Sequence, residues 1–176
     1  MYDLKYPTGK FSKPERINAN LLAVYINDIQ RFPSRLRKAV AGLTKTQLDT
    51  KYRPDGWTIR QVVNHCADSH INSLIRFKLA LTEYKPIIKP YLQDKWASLE
   101  DSKKMPIEPA LKILEGIHQR WTVLLKSLTS TQLKRSFIHP EQKREIKLDE
   151  TMALYAWHCN HHLAHITNLK KRMGWK

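Results

Sequence analysis

The segment His158-Cys159-Asn160-His161-His162-Leu163-Ala164-His165 constrains this chain most, because it packs four of the eight histidines into little more than about two helical turns. At about 100° per residue, positions 158, 161, 162 and 165 share an arc of roughly 100° and leave the helix on one side. His158/His162 and His161/His165 are i, i+4 pairs, the spacing at which two ring nitrogens reach one cation. Leu154, Tyr155, Ile166 and Leu169 around the same arc mark the face as buried, and a buried imidazole needs a partner for each ring nitrogen. Helical histidines are most often packed core residues or a solvated patch; four together point to a shared metal.

Four segments carry the helical apolar period. The first covers about Pro14 to Gly42, with Leu21, Leu22, Tyr25, Ile26, Ile29, Leu36, Val40 and Leu43 on its stripe, and Pro33 is expected to kink it. The second follows the turn Arg53-Pro54-Asp55-Gly56; Thr58 and Gln61 form a capping box, and the helix runs to about Glu83. The third starts near Pro109 and reaches Leu128. The fourth takes Asp149 as its N-cap and ends close to Gly174, with Lys170, Lys171 and Arg172 in its last turn. Pro86 and Pro90 open a long crossover between the second and third helices, through Trp96 and Ser102, of the kind that covers a site. Phe137 to Leu148, around Pro140, reads as a small hairpin. Leu43-Thr44-Lys45-Thr46-Gln47-Leu48 is echoed by Leu128-Thr129-Ser130-Thr131-Gln132-Leu133, each with a Thr-x-x-Gln capping box ahead of a histidine-bearing helix. The pattern predicts an all-α four-helix bundle in a single domain over residues 1–176.

Composition narrows the function. With five glycines there is little room for a glycine-rich phosphate loop. No long apolar run or signal-type N-terminus is present, so a cytoplasmic protein without membrane association is expected. Cys66 and Cys159 are too few for a disulfide framework, and on a helix Cys159 points away from the histidines, which reads as packing. The 31 Lys and Arg against 16 Asp and Glu leave a net charge of +15. That charge is spread along the chain without a recognition module, so it favours small anionic substrates over nucleic acid.

A three-ligand site needs a further donor from a facing helix. The second helix offers two: His65, on a polar stripe with Gln61, Asp68, Ser69, Asn72 and Arg76, and His70, on the opposite apolar face. Periodicity does not choose between them, and His65 qualifies only if its stripe lines a wet cavity.

The stretches Tyr52-Arg53-Pro54-Asp55-Gly56-Trp57-Thr58-Ile59-Arg60-Gln61-Val62-Val63-Asn64-His65 and Tyr155-Ala156-Trp157-His158-Cys159-Asn160-His161-His162-Leu163-Ala164-His165 resemble the YfiT branch of the DinB-like superfamily. So do Ile75-Arg76-Phe77-Lys78-Leu79, His118-Gln119-Arg120-Trp121 and Arg172-Met173-Gly174-Trp175, so the resemblance spans nearly the whole chain. It implies a cytoplasmic, often dimeric four-helix bundle, provisionally described as a metal-dependent hydrolase, with one zinc or nickel per subunit. Carried over residue by residue, the ligands are His65, His161 and His165, which leaves His70, His158 and His162 supporting or packing roles. Asn64, Cys159 and Asn160 depart from the family pattern around the ligands without touching them.

Three functions follow as expectations. In the first, the metal activates water for hydrolysis of a small molecule, with Asp68 as an acid/base candidate. In the second, suggested by related bacillithiol and mycothiol transferases, the metal activates a low-molecular-weight thiol for transfer to an electrophile. Arg60, Arg76 or Arg120 would then receive the thiol's carboxylates. The third is a non-enzymatic basic binding protein in which the metal is structural.

Overall fold

The computed structural model describes residues 3–175. Four long helices dominate it: α1 (Ala19–Val40), α3 (Ile59–Thr82), α6 (Glu108–Ser127) and α8 (Leu148–Met173). Between them lie α2 (Lys45–Leu48), α4 (Gln93–Trp96), α5 (Glu100–Lys104), α7 (Ser130–Leu133) and the strands β1 (Ser136–His139) and β2 (Arg144–Lys147).

Local chemistry sets the helix ends. The Asn18 side chain accepts from the Leu21 N–H and starts α1, later than the expected Pro14, because that oxygen satisfies a donor the first turn would otherwise leave open. Both echoed Thr-x-x-Gln segments form capped short helices, with Thr44 and Gln47 closing α2 and Thr129 and Gln132 closing α7. Thr58 and Gln61 cap α3 in the same way. Asp149 is not the N-cap of α8. Lys147 occupies that position, and the Asp149 carboxylate instead accepts from the Glu150 N–H at 2.7 Å and from Lys134 Nζ at 2.6 Å. Gly174, in the left-handed region at φ 65°, ends α8.

The hairpin is real but short, with Ser136 opposite Lys147 and Phe137 opposite Ile146. It ties down the crossover, because Ile138 N–H donates to the Pro86 carbonyl at 2.9 Å and Ile88 N–H to that of Ile138 at 3.1 Å.

In the bundle α1 packs against α8 and α6, and α3 packs against α6 and, more sparsely, against α8. The first two long helices are therefore diagonal rather than adjacent. One contiguous core joins Ile29, Phe32, Leu36, Phe77, Leu114, Trp121, Met152 and Ile166. Each of these large apolar side chains contributes about 1.5–3 kcal/mol on burial. The thin α3–α8 seam is where apolar packing gives way to histidine. Among the described residues no helix is long and apolar enough to cross a membrane.

Candidate metal centre

The seam holds seven of the eight histidines in one connected network of rings. Ligand atoms of His65, His158 and His162 lie within 4.8 Å of one another, and so do those of His161, His162 and His165. The expected set His65, His161 and His165 is thus divided between two overlapping groups, with His162 common to both. His158 and His162, expected to support or pack, stand among the candidate donors. All of these except the half-buried His158 are buried.

The rings line a cavity of about 470 Å³ together with Lys5, Tyr6, Tyr52, Arg53, Asp55, Trp57, Gln93, Asp94 and Trp157. The condition placed on His65 is met in part: His65 itself lines this cavity, and Ser69 and Arg76 of its stripe line a neighbouring one, whereas Gln61, Asp68 and Asn72 line neither. Aromatic side chains fix the ring planes. Tyr52 stacks on His165 with centroids 3.9 Å apart, Trp157 on His161 at 4.4 Å, and Trp57 packs tilted against His65 at 4.6 Å. The Tyr52–Trp57 turn that supplies two of them is closed by Gly56, where a Cβ would meet Arg53 Cγ at 2.7 Å and the Tyr52 ring at 3.2 Å. A side chain there would displace Arg53 and press on the Tyr52 ring.

Every one of these histidines is held neutral. Burial, then the neighbouring His161 and His165, lowers His65 to about 3. Burial lowers His161 to about 4, and burial followed by His161 does the same to His165. His158 and His162 fall well below the ordinary histidine value for the same first cause. Neutral rings carry the lone pairs that a metal needs.

Three of those nitrogens have no partner among the described residues: Nδ1 of His161, of His162 and of His165 are buried without a hydrogen bond. A buried polar atom in that state costs about 1–3 kcal/mol. For His165 the assignment is clear, because its Nε2–H donates to the Lys5 carbonyl at 3.3 Å, leaving Nδ1 as an unfilled lone pair. Clustered, unprotonated and unpartnered imidazole nitrogens suit a borderline cation such as zinc or nickel.

The other predicted residues are dispersed. Asp68 is half-buried on α3, and burial followed by Asp101 raises it to about 6, yet it lines neither the histidine cavity nor its neighbour. Arg60 is committed elsewhere, donating to Asp49 Oδ1 and the Met105 carbonyl, each at 2.7 Å. Arg120 is exposed on α6, away from both cavities. Arg76 does line an adjoining cavity of about 610 Å³ with Tyr91, Lys95 and His139. Gln93, Asp94 and His158 border both cavities, so the crossover covers the site as expected. Asp55 and Asp94, which the sequence did not single out, are the carboxylates the histidine cavity presents. Cys66 and Cys159 are buried and free.

Residues 28–166 match the family model for the DinB superfamily. The chain belongs to that superfamily. Among its DinB relatives, a protein of Bacillus cereus strain 03BB102, provisionally named a metal-dependent hydrolase, is 51% identical over 175 residues, covering 99% of this chain and 100% of the relative. The similarly named YfiT of Bacillus subtilis strain 168 is 48% identical over 173 residues, covering 98% and 97%. The solved structure of YfiT, described as a probable metal-dependent hydrolase with an unusual four-helix bundle topology, superposes with a TM-score of 0.96 over 99% of each chain. A mycothiol-dependent maleylpyruvate isomerase shares the fold, with a TM-score of 0.60 at 15% identity over 80% of this chain and 60% of that one.

Proposed function

We propose that this DinB protein is a metal-dependent hydrolase of small molecules in which His65, His161 and His165 hold one zinc or nickel ion. The observation that carries the reading is the convergence of neutral α3 and α8 imidazoles, three of the α8 rings with a buried nitrogen unpartnered, on one accessible cavity. The provisional names of the relatives at 48% and 51% identity support it.

A cation bound by three imidazoles keeps open positions and supplies Lewis acidity to a water or, equally, to a thiol. The chain's own residues do the rest. Tyr52, Trp57 and Trp157 hold the rings in plane, and Asp94 and Asp55 offer carboxylates to a proton leaving the cavity. Lys5 and Arg53 favour an anionic substrate at its edge.

Thiol transfer is the second reading. It is favoured by the adjoining cavity, where Arg76 and Lys95 offer cations to the carboxylates of a two-part ligand that reaches the histidines past Asp94.

Both readings are tested on protein stripped with a chelator and reloaded with zinc or nickel. Hydrolysis of p-nitrophenyl esters and amides is measured beside conjugation of carboxylate-bearing thiols to electrophiles. The hydrolase reading expects ester or amide turnover that returns with metal and is lost in His161→Ala with the helical circular dichroism intact. Metal-stimulated conjugation without hydrolysis selects the thiol reading. Metal loading that stimulates neither overturns both.

A further inference from the structure

Pro33 has no N–H, so it cannot make the helical bond to the Ile29 carbonyl four residues back in α1. That carbonyl is used instead by a side chain from another helix: His118 Nδ1, on α6, lies 2.6 Å from it. His118 Nε2 is 2.7 Å from His70 Nδ1 on α3, and His70 Nε2 is 3.0 Å from His158 Nδ1 on α8. His158 Nε2 is in turn 3.2 Å from His65 Nε2. A file of imidazoles therefore crosses the bundle from a proline-freed carbonyl to the metal cavity.

The carbonyl gives the file a direction. It only accepts, so His118 Nδ1 carries the hydrogen; a neutral ring then leaves Nε2 as an acceptor. His70 must donate to it through Nδ1, which leaves His70 Nε2 as the acceptor for a hydrogen on His158 Nδ1. The Nε2 of His158 is consequently a lone pair. Among the described residues no carboxylate is bonded to any of the three rings. Phe32 packs on His70 and His118, Trp121 on both, and Tyr155 on His70 and His158, so the inner part of the file, His118 to His70, is walled by aromatic rings.

We propose that the relay Ile29–His118–His70–His158 fixes His158 as its Nδ1–H tautomer, so that Nε2 serves as a preset hydrogen-bond acceptor for the attacking nucleophile. The inference rests on the metal-dependent reading above. His158 is the catalytic member, because it borders both the metal cavity and the adjoining one; His70, His118 and Pro33 are positioning residues. Without metal the acceptor is filled by His65 Nε2–H. When His65 gives that nitrogen to a cation, its proton leaves Nε2 and one is taken up at Nδ1, so the ring stays neutral and His158 Nε2 becomes free for the nucleophile's hydrogen.

Long-range 15N–1H correlation on chelator-treated protein reads the tautomers directly and needs neither metal nor activity. Nδ1–H is expected on His118, His70 and His158, with Nε2–H on His65. Zinc should switch His65 alone. His118→Phe should leave His158 a mixture of tautomers and lower metal-stimulated ester turnover by roughly 10–100-fold at unchanged bound zinc. His118→Gln, which keeps a donor and an acceptor, should restore much of both. Nε2–H on His158 in the metal-free protein overturns the proposal, even if His118→Phe fails to fold. So does zinc bound directly to His158 Nε2. Failure of the wild type to bind zinc, with the tautomers as stated, overturns the metal reading and leaves the relay standing.

Discussion

Acidification should unfold the metal-free protein through its buried histidines. His70 and His118 are enclosed by apolar and aromatic side chains, His65 and His158 lie where that cluster meets the cavity, and burial is the leading cause of the lowered pKa values of all four, about 3 for His65 and about 4 for His118. In the unfolded chain each titrates near about 6.5. The unfolded state therefore takes up protons that the folded state refuses, so the stability these rings leave intact above about pH 6.5 is lost as pH falls toward their folded values. Below that point each ring costs about 1.4 kcal/mol per pH unit, and four together remove roughly 6 kcal/mol by about pH 5.5. A typical domain has only about 5–15 kcal/mol in all. Urea unfolding of chelator-treated protein at pH 7.5 and pH 5.5 measures the difference; saturating zinc, which binds rings already neutral at both pH values, should raise stability at both and leave the difference in place. Equal stability at the two pH values, within about 1 kcal/mol, would mean that the rings are not neutral and enclosed, and the reasoning would be wrong.

Removing His165, one of the three proposed ligands, should weaken zinc binding; His165→Ala is expected to lose about 3 kcal/mol, or roughly a hundredfold in Kd, by competition with a chromophoric chelator. Phe32 is fully buried and lies against His70 and His118 with centroids 5.2 and 5.6 Å away. Phe32→Ala should therefore cost about 3–5 kcal/mol in denaturant unfolding, and a loss below about 1 kcal/mol would contradict the packing described. Burial pushes both Cys66 and Cys159 thiols well up, so neither should react with a disulfide reagent at pH 8 until the protein is unfolded; rapid native labelling would refute this.

The long helices and one wall of the site were legible from the residues. Periodicity located α1, α3, α6 and α8, and Thr58, Thr44 and Thr129 announced the caps of α3, α2 and α7, because these signals act within about four residues. Errors arose where two local signals competed. Asn18 takes the start of α1 from the Pro14 region, and Asp149 gives its carboxylate to Lys134 rather than to a helix end. The histidine face of α8 was visible because one helix carries it. The other walls were not, since Tyr52, Trp57 and Asp94 reach the cavity from a turn and a crossover whose paths no period encodes. Asp68, on the right helix three residues from His65, points elsewhere. His70 and His118 looked like core residues, and they are; their bond lengths to His158 and Ile29 depend on four helices meeting at one level. Pro33 was legible as a helix irregularity, but the use of the carbonyl it frees required α6 to be in place.

X-ray absorption spectroscopy on protein reloaded with one equivalent of zinc, repeated on His65→Ala and His161→Ala, tests the metal centre most directly. The account predicts imidazole scattering from about three rings at about 2.0–2.1 Å with at least one lighter, exchangeable neighbour, and a ring lost in each variant. A shell of four protein nitrogens with no exchangeable position would contradict it, as would zinc bound equally well when both His65 and His161 are replaced.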